Sequence, residues 1–500
     1  MSLLTRIRVR MRTGAGATRT TVRTTVGNAL LVHGADGPTE DARTLAESLP
    51  VDPGHELVVA DLPPDAPAEV WESFVAALPK GRNPMRLVLG RHPREVGPRL
   101  GQWLADRTGR VVLAPYGLMH QGVAGALFVH SVASSCWVRF RRGQMAVRES
   151  KRFPRPAWES PAVAEVRPVG ADGSVAEPLP AGMWIRPGGV DDLFVGSRTR
   201  LVRALPCQPG VPVIVVGSPG APALELGAVK AFWQTLPADI KSEAWFTRFG
   251  EVALPDGASL GQTLANVLKQ EVRCYTGIPV GAPDAPAVVA LRADGTHGWN
   301  TFAQGFAYRP QGTDAQPGPR RLRAHRPPAP QLREVSPGVY ECAPDIVVEV
   351  VEAGLWVRSA EEPAAAAVVR AAELDPVRNH VLYEAVDPQQ AQRVRAAAES
   401  LVGRIDYQTK LVTTLMPVTT PPSPAPPSTE SPTAALPTVE PEESGMKPIT
   451  AESATTALRK AEPSGVEPPL PELPLLSRMM ETMAMRAPEF PSLPTEGTGR

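Results

Sequence analysis

Few residues in this chain could do covalent chemistry, and His33, followed by Gly34, leads them. A histidine at a strand end can take the proton of a thiol, so the next question is which cysteine meets it. Cys136, Cys207, Cys274 and Cys342 are widely separated, with no CxxC pair and no histidine at zinc-ligand spacing. They read as free thiols in a reducing cytoplasm, not as a zinc site or a disulfide framework. Cys136 is the one that a neighbouring strand could offer to His33, and its apolar neighbours fit a core position equally well. His92, His120 and His130 share one region without metal-ligand spacing, so neither a metal nor a cofactor is expected. GxxxxGK[ST], HExxH and GxSxG are all absent. Gly217-Ser-Pro-Gly220 follows a strand as a phosphate loop would, but Pro219 removes an N–H where a phosphate needs one.

These residues must be positioned by alternating strand and helix patterns, the signature of a parallel sheet covered by helices. The spacing predicts strands over Ala29–Gly34, His55–Leu62, Met85–Gly90 and Val111–Ala114, with helices over Glu40–Ser48, Ala66–Leu78 and Val96–Arg107. Strands over Ala126–His130, Cys136–Phe140 and Met145–Arg148 follow. The pattern returns from Val211–Gly217 through Ala287–Leu291. Trp137-x-x-Phe140 and Trp299-x-x-Phe302 read as packing residues of an outer strand.

The two stretches align at a fixed offset. Gly90 pairs with Gly250, Gly97 with Gly257, Leu100 with Leu260, and Gly101-Gln102 with Gly261-Gln262. Leu104-Ala105 pairs with Leu264-Ala265, Val112 with Val272, and Val129 with Val289. After a slip of two residues, Trp137 and Phe140 match Trp299 and Phe302. A duplication is the economical reading, with a strand and helix near 55–80 missing from the second copy.

The fold class expected is therefore α/β: two tandem three-layer units with mainly parallel sheets, a small α+β domain, and a disordered Pro-rich C-terminal tail. The boundaries read as a flexible basic arm over 1–27, a first unit over 28–150 and a connection over 151–200. A second unit over 201–309, a Pro/Arg-rich linker over 310–337, the small domain over 338–416 and the tail over 417–500 complete the chain. Within the tail, Leu475–Met485 is an isolated Leu/Met stretch.

Composition narrows the function classes. Lys+Arg 52 balances Asp+Glu 52 across 500 residues, which argues against a domain devoted to nucleic acid. Lys numbers 8, leaving 44 Arg, the bias of a GC-rich bacterial genome such as an actinobacterium. Arg6, Arg8, Arg10, Arg12, Arg19 and Arg23 precede the first acid, Asp36, and fit a flexible arm or an overextended translation start. No run reaches the ~18 apolar residues of a membrane span. A cytoplasmic protein without membrane insertion is expected, with a non-Sec export route left open.

The unit resembles caspase-like cysteine peptidase domains, including relatives in bacterial polymorphic toxins. In that family a strand ends in His-Gly, a later strand ends in Cys, an LA(D/N) helix follows, and a strand leads into Ala-Pro. The corresponding features are His33-Gly34, Leu104-Ala105-Asp106, Val111-Val-Leu-Ala-Pro115, and Trp137 with Phe140. The resemblance implies an α/β fold and a His–Cys dyad. Yet Arg91-His92-Pro93 stands where the nucleophile belongs. The second copy has Glu251-Val252-Ala253 there, and Val216-Gly217 in place of His-Gly. Without a thiolate the covalent mechanism fails. The expected function is a non-catalytic protein-interaction role with an unidentified protein partner, either as a scaffold or as the N-terminal region of a larger bacterial effector or toxin system. Two alternatives remain: a divergent cysteine hydrolase using His33 and Cys136, and a truncated relative of actinobacterial multidomain proteins bearing an ADP-ribosyltransferase domain.

Overall fold

The computed structural model describes residues 7–8, 21–63, 66–91, 97–130, 135–311, 320–385 and 388–418. The architecture is mixed α/β, with three large sheets and two small three-stranded ones. The Leu475–Met485 stretch with the rest of 419–500, the arginines of the arm before Thr21 other than Arg8, and His92 lie outside the described residues.

The first sheet is built from β1 (Val22–Val26), β2 (Ala29–His33), β3 (Glu56–Asp61), β4 (Met85–Leu89), β5 (Val112–Tyr116) and β6 (Cys136–Phe140). They lie in that spatial order, with short strands Ile7–Arg8 and Val147–Arg148 at the two edges. Pairing is parallel from β2 to β5 and antiparallel outside that block. Near-continuous apolar burial in β2, β3 and β4 is what a sheet covered on both faces requires. Three helices provide the cover: α1 (Glu40–Ser48), α2 (Ala68–Ala77) and α3 (Gly97–Thr108). Thr39 caps α1 by accepting from the Ala42 N–H, ahead of Glu40 and Asp41 in the first turn.

The second sheet runs β7 (Val175–Leu179), β8 (Gly182–Arg186), β9 (Val213–Val216), β10 (Trp245–Arg248), β11 (Val272–Tyr275) and β12 (Ala303–Tyr308). Its helices include α4 (Val195–Ala204), α5 (Leu226–Gln234) and α6 (Leu260–Leu268). The block β8–β11 is parallel and its flanks antiparallel, the same order and directions as in the first sheet. Short strands Arg167–Pro168 and Arg321–His325 form its edges.

Both sheets place their helices in the same unusual way. Leu45 and Ala46 of α1 pack with Leu31, Val59 and Val88 on one face. Val70 and Phe74 of α2 pack with Val32, Val58 and Leu87 on the other. The strands step across the sheet in one direction while the helices change faces, so the two crossovers have opposite hands, against the strong right-handed rule. In the second sheet, Leu201 of α4 joins Trp184 and Val215 on one face. Phe232 of α5 joins Ile185 and Val216 on the opposite one.

Two glycines explain part of the repeated sequence pattern. A Cβ on Gly101 of α3 would lie 2.4 Å from the Phe140 ring, and one on Gly261 of α6 would lie 2.2 Å from the Tyr308 ring. The glycines thus let each helix rest on an aromatic of the outer strand.

Several sequence-based boundaries shift. Residues 22–26 belong to the first sheet, not to an arm, and Thr21 bonds to Ser73. The connection read over 151–200 contains β7, β8 and the first part of α4, so a strand and helix thought missing from the second region are present. Arg321–His325, read as linker, is an edge strand of the second sheet. Trp299 lies on the His297–Asn300 strand of a small sheet, not on the counterpart of β6, so its match to Trp137 does not hold in space.

The third large sheet contains β13 (Val339–Ala343), β14 (Ile346–Val351), β15 (Gly354–Ser359), β16 (Asn379–Glu384) and β17 (Thr413–Val418), with helix α7 (Pro388–Arg404) packed on it. Its core is continuous with that of the second sheet, because Phe306, Tyr308, Tyr340, Val348 and Val394 share one apolar cluster. β17 is an outer strand and reaches one residue past the start of the expected tail. The Asn379 and Ala385 N–H groups donate to the Val412 and Val418 carbonyls. By parallel-ladder alternation, Thr413, Leu415 and Pro417 turn their backbone groups outward.

A buried arginine ties a strand of the first small sheet, Arg152–Phe153, to the second large sheet. Arg152 donates to the carbonyls of Val163 (3.1 Å), Leu179 (2.7 Å) and Gly182 (2.8 Å), and pairs with Glu159.

Candidate functional site

The carboxyl ends of parallel strands are where open α/β sheets usually keep their ligands, and His33 lies at one of them. It closes β2, is buried, and its Nδ1 sits 2.7 Å from the Gly34 carbonyl oxygen. Its neighbour across the ladder is Asp61, the last residue of β3. That carboxylate is fully buried and already committed. It accepts from the Thr39 N–H at 2.6 Å, the Thr39 hydroxyl at 3.1 Å and Arg91 Nε at 2.6 Å. Arg91, at the place expected for a nucleophile, therefore serves as the partner of Asp61.

Cys136 is buried at the start of β6, beside Tyr116 of β5. Strands β3, β4 and β5 separate it from β2. Four inter-strand steps of about 4.8 Å put His33 and Cys136 roughly 19 Å apart along the sheet. A proton cannot pass directly between them, so the two residues do not form a dyad in this fold. The remaining thiols are poorly suited to nucleophilic attack. Burial pushes Cys207 up to about 11 and also raises Cys274 and Cys342, which keeps all three protonated at neutral pH.

Arg186 closes β8 as His33 closes β2, and the registers agree: Val22 faces His33, and Val175 faces Arg186. The spatial counterpart of His33-Gly34 is thus Arg186-Pro187, and not the Val216-Gly217 pair aligned from sequence. Arg186 Nε donates to Glu177 of β7 at 3.1 Å, and Arg198 of α4 donates to the same carboxylate at 3.0 Å. Both arginines also reach Asp191. His130 approaches Glu177 at 3.5 Å, and His120 lies 2.9 Å from the His130 carbonyl oxygen. Burial pulls Glu177 upward, but contacts from His130 and Arg198 outweigh it and hold the carboxyl at about 2. Gly217 accepts from the Trp184 indole at 2.8 Å, and Ser218 meets Ser197 at 3.4 Å, so the glycine-containing loop is engaged within the fold. No group of three or more potential metal ligands occurs among the described residues.

Open space lies at the other end of the first sheet. Two clefts of about 420 and 410 Å³ meet at Val51, Asp52 and His55, next to the amino ends of β3 and β4. Asp52 accepts from Arg86 Nε at 2.8 Å and lies 3.1 Å from His55 Nδ1. Burial raises the Asp52 carboxyl, yet the His55 and Arg86 contacts prevail and hold it well below the usual carboxylate range. The imidazole is thereby oriented by a carboxylate through Nδ1, an arrangement that leaves Nε2 for proton exchange or for a ligand. Ser150, a hydroxyl of the second cleft, is bonded to the Arg152 carbonyl at 2.6 Å. The pattern Asp52-x-x-His55 was not singled out from sequence. A signal was present in Arg86, the one charge in the otherwise apolar strand Met85–Leu89.

Comparison with known proteins finds no family model, no curated protein and no solved structure that matches the chain. Among the described residues, no helix is long and apolar enough to cross a membrane.

Proposed function

We propose that the chain is a non-catalytic interaction protein in which one α/β unit occurs twice. In this reading both copies descend from a caspase-like ancestor, and both have exchanged the catalytic strand end for structural ion pairs. The observation that carries it is the fate of that strand end. His33 stands roughly 19 Å from Cys136, beside an Asp61 engaged by Arg91 and Thr39. Arg186 stands at the same place in the second copy, paired with Glu177.

A partner surface is available close by. Val190 (69% exposed), Leu193 (75%) and Val195 (49%) gather at the turn before α4. Three outward apolar side chains within six residues are the kind of feature that partner proteins cover. The test is affinity capture with the full chain from its native host, comparing wild type with Val190→Asp/Leu193→Asp. A stoichiometric protein partner lost in the double variant supports the proposal. Hydrolysis of a peptide substrate that disappears in both His33→Ala and Cys136→Ala would overturn it in favour of the hydrolase.

A further inference from the structure

The second cleft has the chemistry of an anion site. Arg86 is buried, with its guanidinium carbon 4.7 Å from the Trp137 ring centroid and 4.1 Å from that of Phe153. The guanidinium carbon thus lies over the faces of both rings, and these cation–π contacts hold the side chain in the wall of the cleft. Nε is used by Asp52, while the two terminal amino groups hydrogen-bond to none of the described side chains or carbonyls. Trp137, on the same wall, has a buried indole N–H with no hydrogen-bond partner among the described residues. These are unmet donors beside an open cleft of about 410 Å³.

The charge balance favours the same ligand class. Arg139 and Arg155 share a single carboxylate, Glu149, at 2.9 and 3.7 Å. Arg152, which also lines the cleft, is neutralised by Glu159. Among the described residues, Arg86, Arg139 and Arg155 therefore pair only with Asp52 and Glu149, and the wall retains positive charge.

We infer that this cleft binds the oxyanion group of a small molecule, a carboxylate or a phosphoryl, with Arg86 as its main donor. A guanidinium whose fork is held in one plane suits the two oxygens that either group presents. The cleft volume falls in the range of small-molecule sites. The inference goes beyond the interaction reading and stands whether or not a protein partner exists.

The experiment is calorimetric titration of the full chain with inorganic phosphate and, separately, with succinate. One saturable site for either anion is expected, and the two titrations tell a phosphoryl ligand from a carboxylate one. Arg86→Lys keeps the charge but loses the planar fork, and should weaken binding about tenfold or more. Arg155→Gln alters an exposed side chain, so it should weaken binding while leaving the melting temperature in place. Failure of both anions to bind up to about 10 mM, or equal affinity in both variants, overturns the inference.

Discussion

Glu177→Gln offers the sharpest test of the ion cluster at the end of β8. The carboxylate is 1% exposed and serves both Arg186 and Arg198. Its pKa falls from the ordinary 4.5 to about 2. At about 1.4 kcal/mol per pH unit, that difference corresponds to roughly 3 kcal/mol of stability at neutral pH. The sign follows from the direction. A depressed folded-state pKa stabilises fully above the unfolded value, and the contribution is lost as pH falls from 4.5 toward 2. Glutamine imitates the protonated acid and removes this dependence. Urea unfolding of both proteins, followed by tryptophan fluorescence, should show a gap of about 3 kcal/mol near pH 7, shrinking to roughly half near pH 3. Other carboxylates titrate in both proteins, so the difference isolates Glu177. A gap that stays constant with pH, or that is absent at pH 7, would refute the electrostatic account.

Gly101→Ala and Gly261→Ala should each cost about 1–3 kcal/mol through overpacking against Phe140 and Tyr308. Tyr308→Leu in the Gly261→Ala background should restore part of the loss in thermal melts. Arg152→Met should destabilise by about 3–5 kcal/mol, because Glu159 is stranded in the interior. Adding Glu159→Leu should recover some of that in chemical denaturation. Iodoacetamide should modify Cys136, Cys207 and Cys274 slowly in the native protein and rapidly after unfolding, as read by peptide mass spectrometry. Fast native labelling of Cys136 would reopen the hydrolase reading.

Elements with strong periodicity were legible from sequence. Cys136–Phe140 and Ala287–Leu291 occur with the bounds that their patterns predict. The strands β7 and β8 were missed because Pro178, Pro180 and Gly182 punctuate them like a loop. In the sheet, Pro178 lies where the neighbouring strand Arg167–Pro168 has already ended, so the sequence breaks without breaking the ladder on that side. The β1 segment looked like an arm because its threonines and arginine do not form an apolar run. Half-burial suffices there, since only β2 and a two-residue strand pair with it. His33 and Cys136 could be named from residue type, but their separation follows from strand order, which local pattern does not encode. The Asp52–His55–Arg86 cluster was hidden for a related reason. Its members come from a loop and a strand 34 positions apart, and nothing local links them.

Pro417 bears on how this protein behaves at high concentration. An outermost strand can recruit the same strand from another molecule, and repetition of that step leads to fibrous self-association. Growth requires a row of outward N–H donors, and proline has none to give. At Pro417 the row is interrupted just before the strand ends, so an incoming chain would find an acceptor lacking its donor. The third sheet thus ends in a strand that discourages copies of itself from polymerising.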